Sequence, residues 1–198
     1  MSDSEIVGKI GEVIEANTTG FHSECYELHR SPAFGSFVTA KDGAYEIYGV
    51  VSNIETASLD PGRRALARGR GETDPEDVYR HNPELPELLR TQFETVVIGF
   101  AEDSAVHVCL PPQPPRLHAF VYPCPATIIE ELTKNLSFLQ TLLVAAHRAG
   151  SDELVSAAVR QATTGRSYLY KVAVGKELAR LLVNEPQRLN AILKRLAV

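Results

Sequence analysis

Residues 44–54 read AYEIYGVVSNI, and this stretch decides the fold class. Tyr45, Ile47, Tyr48, Val50, Val51 and Ile54 are β-branched or aromatic, the residue types that fit a pleated, half-buried surface. Lys41, Asp42 and Gly43 stand immediately before it. An Asp-Gly step there reads as a tight hairpin turn, pairing this strand with a shorter one at 36–40. Residues 92–100, QFETVVIGF, repeat the same chemistry, and Glu102, Asp103 and Ser104 turn the chain into a partner run at 105–110.

Residues 6–15 (IVGKIGEVIE) form an imperfect alternation broken by two glycines, which predicts a strand with a bulge or sharp bend. Asn17, Thr18, Thr19 and Gly20 signal a turn, and 21–28 alternate again. Residues 116–122 supply a last extended segment. Six short strands with glycine-bearing bends predict a small antiparallel β-barrel, because closure removes unpaired edges. A five-stranded OB-type barrel fits the same pattern. Between the two strongest strands lies an insertion at 55–90. It carries DPGRRALARGRGETDP and then a helix from Pro75 that Pro83 and Pro86 interrupt.

The character of the chain changes after a proline-rich segment at 110–126, LPPQPPRLHAFVYPCPA. Proline fixes φ and removes a donor, so this stretch is extended. Beyond it the apolar spacing becomes helical. Ile128, Leu132, Leu136, Leu139, Leu143 and Ala146 form one stripe, ended by Gly150. Leu154, Val155, Ala158, Val159 and Ala162 form a second, stopped by Gly165. A third helix covers 167–183, and a fourth follows Asn184 as cap, with Pro186 in its first turn. The expected fold class is therefore α+β: a six-stranded antiparallel barrel over 1–125, then a four-helix region over 126–198.

Charge divides at the same place. Residues 1–125 hold 10 Lys and Arg against 19 Asp and Glu, a balance of −9, whereas 126–198 hold 10 against 6, a balance of +4; the chain carries −5. An acidic first unit repels nucleic-acid phosphate on average, so binding DNA would need a local basic patch. No apolar run reaches the length of a spanning helix, and the acidic start has no signal segment behind it. Three separated cysteines suit a reducing compartment. A cytoplasmic protein with no membrane contact is the expectation.

The most distinctive local feature is the cluster Arg63, Arg64, Arg68 and Arg70, set in a glycine-containing stretch. Guanidinium groups at this density can grip carboxylates or phosphates; the same arginines could instead pair with Glu72, Asp74, Glu76 and Asp77. Phosphate loops are not evident: Gly175 and Lys176 lack the flanking residues of a nucleotide-binding loop. His107 and Cys109, with His118 or Cys124, could offer metal ligands, but ordinary packing explains them better. Cys124 with His22 or His29 could form a dyad only if the fold joined them. No cofactor and no enzymatic activity are expected.

Four segments carry a resemblance. IVGKIGEVI at 6–14, GVVSNIETASLDPGRR at 49–64 and LLRTQFETVVIGF at 88–100, followed by LPPQPPRLHAFVYPC at 110–124, resemble the HerA–ATP synthase (HAS) barrel, in its stand-alone bacterial form. The resemblance covers about residues 5–125. It implies an assembly or docking role: such barrels crown hexameric ATPases and, in HerA-type translocases, dock the NurA nuclease. No motor follows the barrel here, so no catalytic residue is implied. The expected function is a non-enzymatic adaptor in DNA processing that docks a HerA-type ATPase or NurA-like nuclease or self-assembles, with the four arginines at the interface. The alternative is a small barrel that binds single-stranded nucleic acid directly, with Phe37, Tyr45 and Tyr48 stacking on bases.

Overall fold

The computed structural model describes residues 8–43, 45–60, 62–145 and 151–196. Ile6, Val7, Ala44, Ala146 and Gly150, each part of an expectation above, lie outside them. Seven strands follow one another as β1 (Gly11–Asn17), β2 (Gly20–Cys25), β3 (Phe37–Asp42), β4 (Tyr45–Ser58), β5 (Leu89–Glu102), β6 (Ala105–His107) and β7 (Phe120–Pro123). All pairings are antiparallel, in the order β2-β1-β7-β3-β4-β5-β6, and β2 also pairs with β5. That last pairing closes a six-stranded barrel, and β6 is a short appendage on β5. The five-stranded alternative is therefore excluded.

Closure depends on β7, which slots between β1 and β3: Glu12 pairs with Phe120, and Ala40 with Val121. β1 carries the expected irregularity, a register shift between Val13 and Glu15, but begins only at Gly11. Gly11 is required there, since a Cβ would stand 2.0 Å from the carbonyl oxygen of Glu24. The two long strands outrun their sequence limits. β4 continues to Ser58 and β5 starts at Leu89, and Ser58 pairs with Leu89, so the excursion between them is 59–88. The hairpin partner at 105–110 is strand only through His107, and the final strand is 120–123 instead of 116–122.

Two apolar layers follow from strand alternation. Val13, Phe21, Val38, Ile47, Val51, Phe93, Val97, Phe100 and Val121 fill the barrel interior. Their neighbours Phe37, Tyr48, Val50 and Ile98 face outward and belong to a second core with the helices. Those helices are α3 (Ala126–Lys134), α4 (Ser137–Ala145), α5 (Ser151–Thr163), α6 (Tyr168–Leu181) and α7 (Pro186–Leu196), preceded in the excursion by α1 (Pro75–His81) and α2 (Leu85–Leu88). Among the described residues the C-terminal region thus has five helices where four were expected. The long first stripe breaks at Asn135, which is extended (φ −91°, ψ 121°) and whose Oδ1 accepts from the Ser137 N–H at 3.0 Å. Asparagine caps a new helix better than it continues an old one. The last helix is capped one residue later than expected, the Glu185 carbonyl accepting from the Leu189 N–H.

The helices are fastened to the barrel. Phe138 of α4 lies against Phe37, ring centroids 6.4 Å apart, and the Phe37 N–H donates to Oε1 of Gln161 on α5 at 3.1 Å. The loop before β3 packs on α5 through Gly35, which has φ +82°. Arg166, mostly buried, donates to Glu130 Oε1 at 2.5 Å and to Thr133 Oγ1 at 3.2 Å, joining the start of α6 to α3. No helix among the described residues is long and apolar enough to cross a membrane.

Candidate functional site

The arginine stretch occupies the first half of the 59–88 excursion. Its base is tied down. Asp60 Oδ1 accepts from the Gly62 N–H at 2.9 Å, and the Asp74 side chain caps α1 by accepting from the Glu76 N–H at 3.0 Å. α1 is held to the barrel by Tyr79, whose hydroxyl lies 2.8 Å from His29 Nε2, while the His29 N–H donates to Thr91 Oγ1 at 2.8 Å. Gly69 lies so close to α1 that a Cβ would be 2.6 Å from Val78 Cγ2.

The four arginines do different things. Arg68 donates through Nη1 to Asn82 Oδ1 at 3.0 Å and to Glu84 Oε1 at 2.5 Å, so it locks the arm to the segment after α1. The Glu84 carboxyl is held below its ordinary range by its own backbone N–H and by that guanidinium. Arg63 makes a loose exposed pair with Asp60 at 3.5 Å. Arg64 and Arg70 are exposed, and no ion pair or hydrogen bond joins either to another described residue. Three of the acidic residues proposed as their neighbours are engaged elsewhere: Glu72 with His81, Asp77 with Arg80, and Asp74 in the cap. Between the arginines, Leu66 is 80% exposed. An apolar tip flanked by guanidinium groups is the composition of protein interfaces, where arginine is enriched beside large apolar contacts.

The other sequence candidates are dispersed. Phe37 and Tyr48 are buried in the core shared with the helices, and Tyr45 packs edge-on against Phe100 at 5.9 Å. Phe37 and Tyr48 therefore cannot stack on bases. Cys124 is buried, and burial, with Glu46 as a second cause, pushes its thiol up to about 12, the reverse of what a nucleophile needs. His29 is engaged by Tyr79, His107 stacks on Phe100 at 5.0 Å, and His118 pairs with Glu12 at 3.3 Å. Among the described residues no group of three His, Cys, Asp or Glu side chains could hold a metal ion.

Sequence reasoning missed a cavity of about 880 Å³ between the barrel wall and α4 and α5. Its lining comes from the β1–β2 turn, β2, β4, β5, the segment after β6, and the two helices, so no local motif announces it. His22, Glu94 and Asn53 stand in register across β2, β5 and β4. Asn53 Nδ2 donates to Glu94 Oε1 at 3.1 Å. No protein-family model matches the chain, and no curated protein matches it at a significant level.

Proposed function

We propose that the chain is a non-enzymatic docking protein, with the barrel as scaffold and the arm around Leu66 as the contact. One observation carries this reading: Leu66 is 80% exposed between Arg64 and Arg70, which have no partner among the described residues, on an arm whose base Arg68 pins. A pinned base limits the entropy lost on binding, and the tip presents both desolvation area and charge. The matching surface is an apolar patch ringed by carboxylates. The HAS-barrel resemblance makes a HerA-type ATPase or a NurA-like nuclease the first partner to test, with a DNA-processing role, and a second copy of the chain the next.

Arg64→Glu with Arg70→Glu, and separately Leu66→Asp, should abolish co-purification with that partner. Being exposed, these positions should change stability by no more than about 0.5 kcal/mol. Unaltered complex formation by both variants overturns the reading. Light scattering on the purified chain tests the self-assembling form. Single-stranded DNA titrated against salt tests the alternative: affinity that falls with salt and is lost in the same variants would transfer the arm to a nucleic-acid role.

A further inference from the structure

We propose that the free edge of β4, from Ile54 to Ser58, pairs antiparallel with the same edge of a second copy of this chain. This surface is separate from the arginine arm and does not depend on the docking role.

The edge exists because β4 outruns its neighbour. β3 begins at Phe37, which pairs with Val50. The Val51 N–H donates to the Ser36 carbonyl at 2.9 Å, and the Val51 carbonyl accepts from the Gly35 N–H at 2.8 Å. Past this point β4 runs on to Ser58 with β5 on one side and, among the described residues, no strand on the other. The ladder decides which groups face the open side. On β5 the Val97 N–H donates to the Thr19 carbonyl, away from β4. Every second residue before it, Thr95, Phe93, Thr91 and Leu89, turns the same way. Phe93, Thr91 and Leu89 pair with Ile54, Thr56 and Ser58, which therefore turn both N–H and C=O to the open side. Leu59 keeps the phase, its N–H donating inward to the Leu88 carbonyl at 2.9 Å. No backbone group among the described residues joins the outward groups of Ile54, Thr56 and Ser58. Natural edges are blunted by Pro, Lys or a bulge. From Asn53 to Ser58 this edge has neither residue and keeps an even register.

A second copy fits because the edge is complementary to itself. With a twofold axis at Thr56, Thr56 meets its own copy, and Ile54 and Ser58 meet each other on both sides of the axis. About six N–H···O bonds then form. Glu55 faces Ala57 of the second copy, so no like charges are directly opposed, and Thr opposite Thr is a favourable cross-strand pair. An axis at Glu55 would set carboxylate against carboxylate, and an axis at Ala57 would lose a bonded pair. The Thr56 register also covers an exposed apolar side chain. Ile54 packs on the barrel interior and Thr56 reaches Thr91, so Asn53, Glu55, Ala57 and Leu59 share the outer face. Leu59 is 51% exposed, and in this register it rests opposite Asn53 of the second copy. Asn53 is one of the residues lining the cavity, so the leucine arrives at that cavity's lip.

Light scattering on the full chain should give a mass that rises toward that of two chains between about 1 and 100 µM. Thr56→Pro takes away an outward N–H and spares the ladder with β5, and should hold the mass at one chain throughout. Leu59→Asp changes no backbone group and should weaken the dimer at least about tenfold, which keeps the test open should the proline variant misfold. Arg64→Glu with Arg70→Glu should leave the dimer intact, which separates this edge from the arm. Oxidation reads the register, on a Cys109→Ser background because Cys109 is exposed. Chains carrying Glu55→Cys mixed with chains carrying Ala57→Cys should form a covalent dimer, the opposed Cα atoms being about 4.5 Å apart, and neither should do so alone. A chain that stays monomeric at about 100 µM overturns the proposal and leaves the edge to a strand of a different protein. A dimer that survives both edge variants, or that the arm variant abolishes, lies elsewhere and also overturns it. Covalent dimers from either cysteine chain alone overturn the register.

Discussion

Gly35→Ala tests how the helices are held to the barrel. Gly35 has φ +82°, a conformation that costs an L-residue with a side chain about 1–2 kcal/mol. A Cβ there would stand 2.3 Å from Ala157 Cβ and 3.0 Å from the Ala157 carbonyl carbon, so the loop or α5 must move. Forcing an extra methyl into a packed contact costs about 1–3 kcal/mol. The two effects sum to about 3 kcal/mol, a large share of the roughly 5–15 kcal/mol that holds a domain together. With a urea slope of about 2 kcal/mol/M the unfolding midpoint should fall by about 1.5 M. Combining Gly35→Ala with Ala157→Gly should recover the steric part but not the backbone part, after allowing about 1 kcal/mol for glycine in a helix. A midpoint within about 0.3 M of the parent, or strict additivity of the two substitutions, refutes the reasoning.

Cys124 makes a pH-dependent contribution. Its thiol ionises near 9.0 when unfolded and is pushed up to about 12 in the fold, so between these values the native state holds the extra proton and stability falls as pH rises. Relative to Cys124→Ala, the parent should lose roughly 1.4 kcal/mol per pH unit above about 9 and nothing below it, read from urea midpoints at several pH values; parallel profiles would count against a buried thiol. Phe138→Ala removes a fully buried ring from the shared core and should cost about 3–5 kcal/mol, with helices and barrel unfolding in one transition. Two separate transitions, followed by circular dichroism and tyrosine fluorescence, would show the layers to be independent.

The parts legible in the sequence were those with local causes. The β4 and β5 runs announce themselves by β-branched and aromatic density, and the helices by apolar stripes with Ser167 and Gly165 at their ends. Long-range pairing is not written locally: nothing in FVYP at 120–123 says that it inserts between the first and third strands. Alternation showed that Phe37 and Tyr48 were bulky strand residues, but not that their outward faces would be covered, because the cover lies more than 80 residues downstream. The break at Asn135 was readable from its capping chemistry and was outweighed by an apolar stripe that runs through it. For the arginines, sequence distance suggested Glu72 to Asp77 as partners, yet the turn after α1 carries Asn82 and Glu84 back to Arg68. The cavity had no local signal at all, being built from residues that only the barrel register aligns.

The seat of β7 also bears on truncated chains. A chain lacking residues 120–123 would leave the seam between β1 and β3 unfilled, each strand showing a bare row of amides and carbonyls. A chain lacking the helices as well would leave the apolar outer wall uncovered. Fragments ending before residue 120 should accordingly be sticky and chaperone-dependent, however sound their individual strands.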